Sequence, residues 1–579
     1  MKESLASRLV SPFWCHNTGA SEALGVKEQV VILPQDRGVI DGTRPSIWAV
    51  ALLGAVAVAM HAPAWLHGLP LGDSYYLNVV WASAFSESLV WTQPYPRWLA
   101  SLWNGAGGAD FYFYAPLPFY LSAGVKALCP ACGIEQSITA AAALLAFVGG
   151  VGMYGLARAL GFGRLSIVAA LFVIVSPHHV LEWQARQALG ELAGAAFLPI
   201  CLHGVLQVRR DGRWLRLCLG VAALSLSHLP SLVVFGTAAV VLGLTIWRPV
   251  GLRRFFTALA AGLLGLGISA IYWLPAIWLL PTVRADELGI YDWREAMLGL
   301  PPWDPATLYP AIWTPFLVFL ALGTIAVALA RPATNPARAF VVVCLVLVAV
   351  LVTPVSALIW QHTPIDVIQF PWRFLILADI AFAIALALLA SLIGAGSAPA
   401  RRVVAMAALS IAVVFTGMGL KALDHNPRPA FPAPELIEKR ATVTEWLGRS
   451  DRTLPFSPRT LITDGLPGNL QDLAMPEGVE VTRTTATELR FHSTCVSACD
   501  VVFPRTYWHL WRLEDTSTGK QVSTSASAGF PLVQARLPPG VGRYRLYLAR
   551  PEIEKFAWWL TLASAVLVVG LGATRRRLF

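Results

Sequence analysis

Residues 46–76 read SIWAVALLGAVAVAMHAPAWLHGLPLGDSYY. An apolar run of this length crosses roughly 30 Å of hydrocarbon as a helix rising 1.5 Å per residue. Arg37 and Arg44 flank its start, which places the N-terminal side in the cytoplasm. Asp73 therefore emerges on the far side, within Leu71-Gly72-Asp73-Ser74-Tyr75-Tyr76. An acid where a membrane helix meets water is costly unless it is solvated, paired or in use. This one stretch selects a membrane protein and marks a place for chemistry at its outer surface.

Outward from this point the apolar pattern recurs. Of 579 residues, 56% are apolar and 13% charged, which is not the balance of a soluble domain. The sequence reads as an α-helical polytopic membrane protein with about twelve spans. The net charge of +10 sits largely as arginines in short loops, where it reports orientation. No Lys/Arg patch of nucleic-acid type is visible, so membrane lipids are expected partners and nucleic acid is not. Residues 1–45 are mixed and polar and show no apolar core of a cleaved signal. They read as a cytoplasmic tail or an overextended start.

The apolar piece at about 114–128 is interrupted by Pro116, Pro118 and Gly124. Reading it as a membrane-surface or re-entrant helix puts the charges in order. Spans then fall at about 46–66, 137–157, 165–177, 192–208, two within 217–247, 255–279, 311–330, 339–360, 374–393, 403–420 and 556–573. Inner turns carry Arg158 and Arg164, Arg209 to Arg216, Arg248 to Arg254, Arg331 and Arg338, Arg401 and Arg402, and Arg575 to Arg577. A transmembrane domain over 46–420 thus has outer loops at 67–135, 178–191 and 280–310. Residues 421–555 change character: polar, Pro-rich and alternating, as in Tyr544-Arg545-Leu546-Tyr547-Leu548, with a turn at Pro538-Pro539-Gly540. They read as a small extracytoplasmic β-domain. Residues 556–579 form a last helix and a basic cytoplasmic tail. The expected place is a bacterial plasma (inner) membrane, with both termini inside and the active face outside.

Cys129-Pro130-Ala131-Cys132 has redox-motif spacing without a βαβ pattern around it. A structural disulfide or two free thiols is the plainer reading. Cys495 and Cys499 fall in the outer domain, where a disulfide can persist. No fixed-period repeat supports an inverted-repeat transporter.

Three loop motifs follow the first span: Tyr95-Pro96-Arg97-Trp98, Gly105 to Gly108, and Tyr114-Ala115-Pro116-Leu117. With Gln369-Phe370-Pro371-Trp372-Arg373, they resemble bacterial membrane proteins labelled 6-pyruvoyl-tetrahydropterin-synthase-related. The label carries no pterin chemistry into this reading. The β-domain, with Phe503 to Trp508 and Leu537 to Gly540, is similar to the YfhO-like branch. The order of elements resembles the GT-C superfamily of polyprenyl-phosphate-sugar glycosyltransferases, over about residues 46–573. That resemblance implies a lipid-phosphate sugar donor, no nucleotide sugar at the active face, inversion at the anomeric carbon, and a glycan, lipid or protein acceptor. Glu182 stands where many members present Asp.

Each candidate residue has a plain reading beside the functional one. Asp73 is the candidate general base for the acceptor hydroxyl; it could equally cap a surface helix. Arg97, Arg186 and Arg373 could hold the phosphate through planar, two-pronged donors, or snorkel to headgroups. Glu182 and Arg186 are four residues apart, so an intrahelical ion pair is the plain reading. Asp73 and Glu182, joined by His179, could hold a divalent metal ion. Glu191 could hold a sugar hydroxyl or Arg186. His228, beside Pro230, could touch substrate or pack at an interface. Trp98 and Tyr114 could stack on sugar or serve as interfacial aromatics. The rival reading is a non-enzymatic transporter or assembly factor for lipid-linked glycans. It expects charges inside the spans, which carry almost none, Asp379 being the main exception; that favours surface chemistry.

Overall fold

The computed structural model describes residues 46–246, 251–283, 309–329, 336–363, 368–393, 475–528 and 531–577, with isolated positions between them. In chain order the helices are α1 (Ile47–His67), α2 (Tyr75–Ser88), α3 (Asp110–Phe113), α4 (Leu117–Leu128), α5 (Ile134–Ala159), α6 (Ser166–Val175), α7 (Pro177–Val180) and α8 (Leu189–Asp211). Then come α9 (Leu215–Ser227), α10 (Pro230–Ile246), α11 (Leu252–Ile268), α12 (Ala270–Leu279), α13 (Tyr309–Leu329), α14 (Pro336–Leu351), α15 (Ala357–His362) and α16 (Leu375–Ile393). Eight strands follow, from β1 (Val479–Thr484) to β8 (Gly540–Leu548), and then α17 (Glu552–Arg577).

Among the described residues, six helical stretches are long and apolar enough to cross a membrane, or eight if two bent pairs each count as one span. The pairs are Leu252–Ile268 with Ala270–Thr282, bent by 74°, and Ala337–Leu351 with Pro354–His362, bent by 80°. Twelve spans are therefore not reached. The hairpin expected at 217–247 forms α9 and α10, of 13 and 17 residues, short of the roughly 20 that a span needs. Most of the span expected at 403–420 lies outside the described residues, as do 1–45 and 421–474. The second bend falls at Thr353-Pro354, where proline disfavours helix in the residue before it.

Helix α1 starts cleanly because the Ser46 side chain accepts from the Ala49 amide at 3.2 Å. Its end is marked by Gly68, at φ 90°. Small residues bring α5 and α8 close. A Cβ added at Gly149 would lie 3.1 Å from the Ala196 Cα, one at Gly152 2.6 Å from Ile200, and one at Gly155 2.6 Å from His203. Close backbone approach through small residues is the packing mode of membrane helices, where water supplies no hydrophobic drive.

The strands form a five-stranded sheet, ordered β1-β2-β8-β4-β5, and a three-stranded sheet, β3-β7-β6, where β2 is Glu488–Cys495, β3 Cys499–Thr506, β4 Trp511–Asp515, β5 Gln521–Val522, β6 Thr524–Ala526 and β7 Leu532–Leu537. Strand β2 alternates inward Leu489, Phe491, Ser493 and Cys495 with exposed Arg490, His492 and Thr494, as period-two geometry requires. Phe491, Phe503, Trp511, Leu513, Val533 and Leu546 fill the space between the sheets. Cys495 and Cys499 are disulfide-bonded, as are Cys129 and Cys132.

This β-domain sits on the loop after α2. Thr506 donates its amide to the Ala106 carbonyl at 3.0 Å and its hydroxyl to the Gly107 carbonyl at 2.6 Å. Gly107 has φ +82°, and a Cβ there would lie 2.4 Å from the Trp98 indole nitrogen. Only glycine fits that turn.

Candidate functional site

The site is built on an interrupted helix. Ser176 caps α7 by accepting from the His179 amide at 3.1 Å. The chain continues as a π-helical turn, Leu181–Arg186, and stops at Gln187, whose φ of 53° is left-handed. Helix α8 restarts at Leu189. Residues 178–191, expected as an outer loop, are thus helical except for Gln187 and Ala188. The interruption leaves three carbonyls without helical partners, and the segment around Asp73 takes all three. The Asp73 amide donates to the Ala185 carbonyl at 3.2 Å and the Ser74 amide to the Arg186 carbonyl at 2.9 Å. Asn78 Nδ2 donates to the Gln187 carbonyl at 2.6 Å. A Cβ on Gly72 would lie 2.8 Å from the Ala185 oxygen. Main-chain bonds therefore hold Asp73 in register with Arg186.

Below Asp73 lies a four-residue charge cluster. Arg186 Nη1 donates to both Glu182 oxygens at 2.7 Å and to Glu191 Oε2 at 2.9 Å, while its Nη2 donates to Glu191 Oε1 at 3.1 Å. Arg373 Nε donates to Glu191 Oε1 at 2.9 Å, and its Nη1 donates to the Ile368 carbonyl. Its Nη2 takes no partner among the described residues. Glu182 is fully buried and Glu191 nearly so. Two arginines facing two glutamates is the balance that burial demands. The rings of Phe370 and Trp372 stack at 4.7 Å. Both guanidinium groups lie over them: Arg373 is 4.9 Å from the Phe370 centroid and Arg186 5.5 Å from that of Trp372.

Asp73 is exposed at the rim of this cluster. The protein crowding its inner side raises its pKa above the usual carboxylate value, and the Arg186 charge works in the opposite direction. Tyr114 is held against Trp81 at 4.3 Å. Its phenol is pushed up to about 12, first by burial and then by the Glu191 carboxylate, against Arg373 and Arg186. At neutral pH it is a hydrogen-bond donor. His228 closes the cluster beyond Glu191: its Nδ1 is 2.8 Å from the Ser231 hydroxyl, and its ring lies beside Gly190 and Gly194 of α8.

The sequence candidates thus divide. Asp73, Glu182, Arg186, Glu191, Arg373, Tyr114 and His228 converge. His179 faces the other way, with its ring edge-on to His61 at 5.4 Å. Arg97 and Trp98 lie elsewhere. Arg97 donates to Glu554 at 2.7 Å and to the Ile271 carbonyl at 2.6 Å, so both ends of its fork are taken. Trp98 is buried against Trp508 and Trp511 of the β-domain. Both join the β-domain and α17 to the first loop, because their nearest partners come from the far end of the chain. Both Glu182 oxygens are occupied by Arg186, and no group of three or more His, Cys, Asp or Glu among the described residues is placed to hold a metal ion. Asp73 and Glu182 therefore do not form a ready divalent-cation site.

Sequence reasoning missed Glu135. Its carboxylate accepts from the Leu69 amide at 3.1 Å and the Tyr75 hydroxyl at 2.7 Å, bracketing the Asp73 turn from both sides. No local pattern marks a residue that acts at a sequence distance of 60 or more. It also missed Gln187, whose backbone strain is invisible in sequence; its amide group is buried, with neither end hydrogen-bonded.

A family model described as 6-pyruvoyl-tetrahydropterin synthase related domain, membrane protein, matches residues 111–422. No curated protein matches the sequence. Among solved structures, the chain is similar to the cryo-EM structure of arabinofuranosyltransferase AftD from Mycobacteria. Identity is 18% and the TM-score 0.46, over 67% of this chain and 27% of that one. A mutant of AftD gives 18% and 0.45, over 68% and 29%. The chain spans little more than a quarter of the length of these structures.

Proposed function

The chain belongs to the 6-pyruvoyl-tetrahydropterin synthase related family of membrane proteins, and from that premise we propose that it is an integral-membrane glycosyltransferase. It moves a sugar from a polyprenyl-phosphate carrier to an extracytoplasmic acceptor. The observation that supports this reading is the register of Asp73 with Arg186: an exposed carboxylate is held by main-chain bonds beside the half-buried Arg186, which shares Glu191 with Arg373.

The chemistry follows from charge. The acceptor oxygen attacks the anomeric carbon, and the bond from that carbon to the phosphate oxygen breaks. The electron pair stays on the phosphate, and Asp73 takes the acceptor proton. Glu182 and Glu191 already take both Arg186 Nη nitrogens and the Arg373 Nε. An incoming phosphate must therefore find arginine nitrogens that no carboxylate holds. Arg373 Nη2 is such a donor, backed by Glu191 and stacked on Phe370. The neutral Tyr114 phenol supplies a further donor for a phosphate or sugar oxygen. The two disulfides fit an oxidising outer compartment, which agrees with an active face outside a bacterial plasma membrane.

Mass spectrometry of surface glycans and lipids from a deletion strain tests this. The expected result is a missing sugar, restored by wild type and not by Asp73→Ala. Full rescue by Asp73→Ala removes Asp73 as base. One observation favours the transport or assembly reading: Asp379 is buried within α16 beside His178, a charge inside a span. Sugar transfer by purified protein without any membrane gradient counts against that alternative.

A further inference from the structure

The end of α1 and the start of α2 both rest on one side chain of α5. Glu135 Oε2 accepts from the Leu69 amide at 3.1 Å, and its Oε1 accepts from the Tyr75 hydroxyl at 2.7 Å. Gly68, at φ +90°, turns the chain directly over this carboxylate, since a Cβ there would lie 3.2 Å from Oε2. Asp73 lies between the two contacts in sequence. One carboxylate thus sets both ends of the turn that carries it.

Glu135 itself stands in the first turn of α5, where amides lack partners within the helix. Gly133 caps that turn: its amide donates to Gln136 Oε1 at 2.9 Å, and its carbonyl accepts from the Ser137 amide at 3.0 Å. Gly133 is exposed, and a glycine brings little conformational preference of its own. The covalent restraint comes from the residue before it. Cys132 is bonded to Cys129, and Lys126 of α4 donates to the Pro130 and Cys132 carbonyls at 2.9 and 2.6 Å. A disulfide that closes so short a loop removes little freedom from the unfolded chain. Its effect is therefore local: it ties the end of α4 to the start of α5 and sets where Glu135 stands. Pro130 and Ala131 are exposed, which leaves the bond open to thiols.

We propose that Glu135 is a positioning residue for Asp73, and that the Cys129–Cys132 disulfide holds it in place, so that reducing this bond slows the reaction. This rests on the proposed transferase reading in taking Asp73 as the base. The reductant is a dithiol. One thiolate attacks a sulfur of the pair, the second thiol displaces the mixed disulfide, and the dithiol leaves oxidised; two electrons and two protons pass to Cys129 and Cys132. Gly133 is then released, the first turn of α5 frays, and both bonds to the Asp73 turn loosen. Glu182 and Glu191 continue to hold Arg186 and Arg373, so the phosphate grip is unchanged.

The test uses the full chain in nanodiscs, with undecaprenyl phosphate carrying the sugar that the deletion strain lacks. Dithiothreitol is expected to speed amide exchange in peptides covering 68–78 at least tenfold. It should also lower kcat at least tenfold, with donor KM within twofold and recovery on re-oxidation by glutathione disulfide. The double variant Cys495→Ser, Cys499→Ser should keep this response. The double variant Cys129→Ser, Cys132→Ser should lose it and stay at the slow rate. Glu135→Gln keeps an acceptor oxygen on one side only and should lower kcat to the same extent. Added to Asp73→Asn it should cost nothing further, because it acts through Asp73. Losses that multiply in that combination, or exchange at 68–78 that reduction leaves unchanged, overturn the proposal. Faster exchange on reduction of a protein that transfers no sugar when oxidised would sink the transferase reading and leave the brace standing. Normal transfer by Glu135→Gln would sink the brace and leave the transferase standing.

Discussion

At the residue scale, Asp73 and Arg373 carry separable parts of the proposed reaction. Asp73→Asn keeps the shape and removes the base, so kcat should fall about 10²- to 10⁴-fold while abundance and donor KM stay near wild type. The pH dependence follows from the direction of the Asp73 shift. Burial raises its pKa, and the basic form is the ionised one. Activity should therefore be lost as pH falls, on an acid limb lying above the ordinary aspartate value of about 3.9; initial rates across pH check this, and Asp73→Asn should abolish the limb. Arg373→Lys keeps the charge but loses the planar fork and the stack on Phe370. It should raise donor KM roughly tenfold, or about 1.4 kcal/mol, with a smaller effect on kcat. Part of this cluster was legible in sequence: Glu182 and Arg186 are one helical turn apart. The Arg373 to Glu191 bond, across 182 positions, was not, because tertiary packing alone brings those two together.

At the element scale, the interrupted helix is the device that positions Asp73, the proposed base. The sequence reading has apolar helices at 165–177 and 192–208 with an outer loop at 178–191 between them, and does not show that the loop is itself helical or where the hydrogen-bond ladder breaks. The break depends on what donates to the freed carbonyls, and those donors come from residues 73–78. Gly72→Ala would push the Asp73 segment off the Ala185 carbonyl. Turnover should fall by at least tenfold with little change in melting temperature, since only one loop shifts; paired activity and thermal-unfolding measurements decide. Helix pairing gives the opposite pattern. Gly152→Leu would drive a side chain into Ile200 and should destabilise the protein by about 1–3 kcal/mol, seen as an earlier unfolding midpoint in detergent. The long uninterrupted runs, α1, α5, α8, α16 and α17, were legible because length alone identifies them. The bent pair joined at Ser269 was not, since its run is just as apolar as a straight one.

At the scale of the whole molecule, a buried ion pair joins α17 to the first loop, beside the Thr506 hydrogen bonds and the Trp98 packing that seat the β-domain there. Arg97 and Glu554 are both shielded from solvent, and breaking such a pair from one side costs about 3–5 kcal/mol. Arg97→Ala should loosen the β-domain, giving faster proteolytic release of residues 475–551 while α1 to α8 remain protected; limited proteolysis with mass mapping reads this directly. The sequence reading offered Arg97 to the phosphate because the topology put its fork on the outer side, and Trp98 to the sugar as an outer-loop aromatic. Their partners, Glu554 and Trp508, lie more than 400 positions away, beyond any local pattern.

The pairing of residue 97 with residue 554 also sets a clock. During synthesis, the loop after α2 is made early, while its partner has yet to leave the ribosome. Between those moments, about 450 further residues must be made, roughly half a minute to a minute and a half at 5–20 residues per second. Throughout that interval Arg97 waits without its counter-charge, and the aromatic bed around Trp98 stays uncovered. The newborn protein therefore keeps that surface open to quality-control proteases until its last helix has been made.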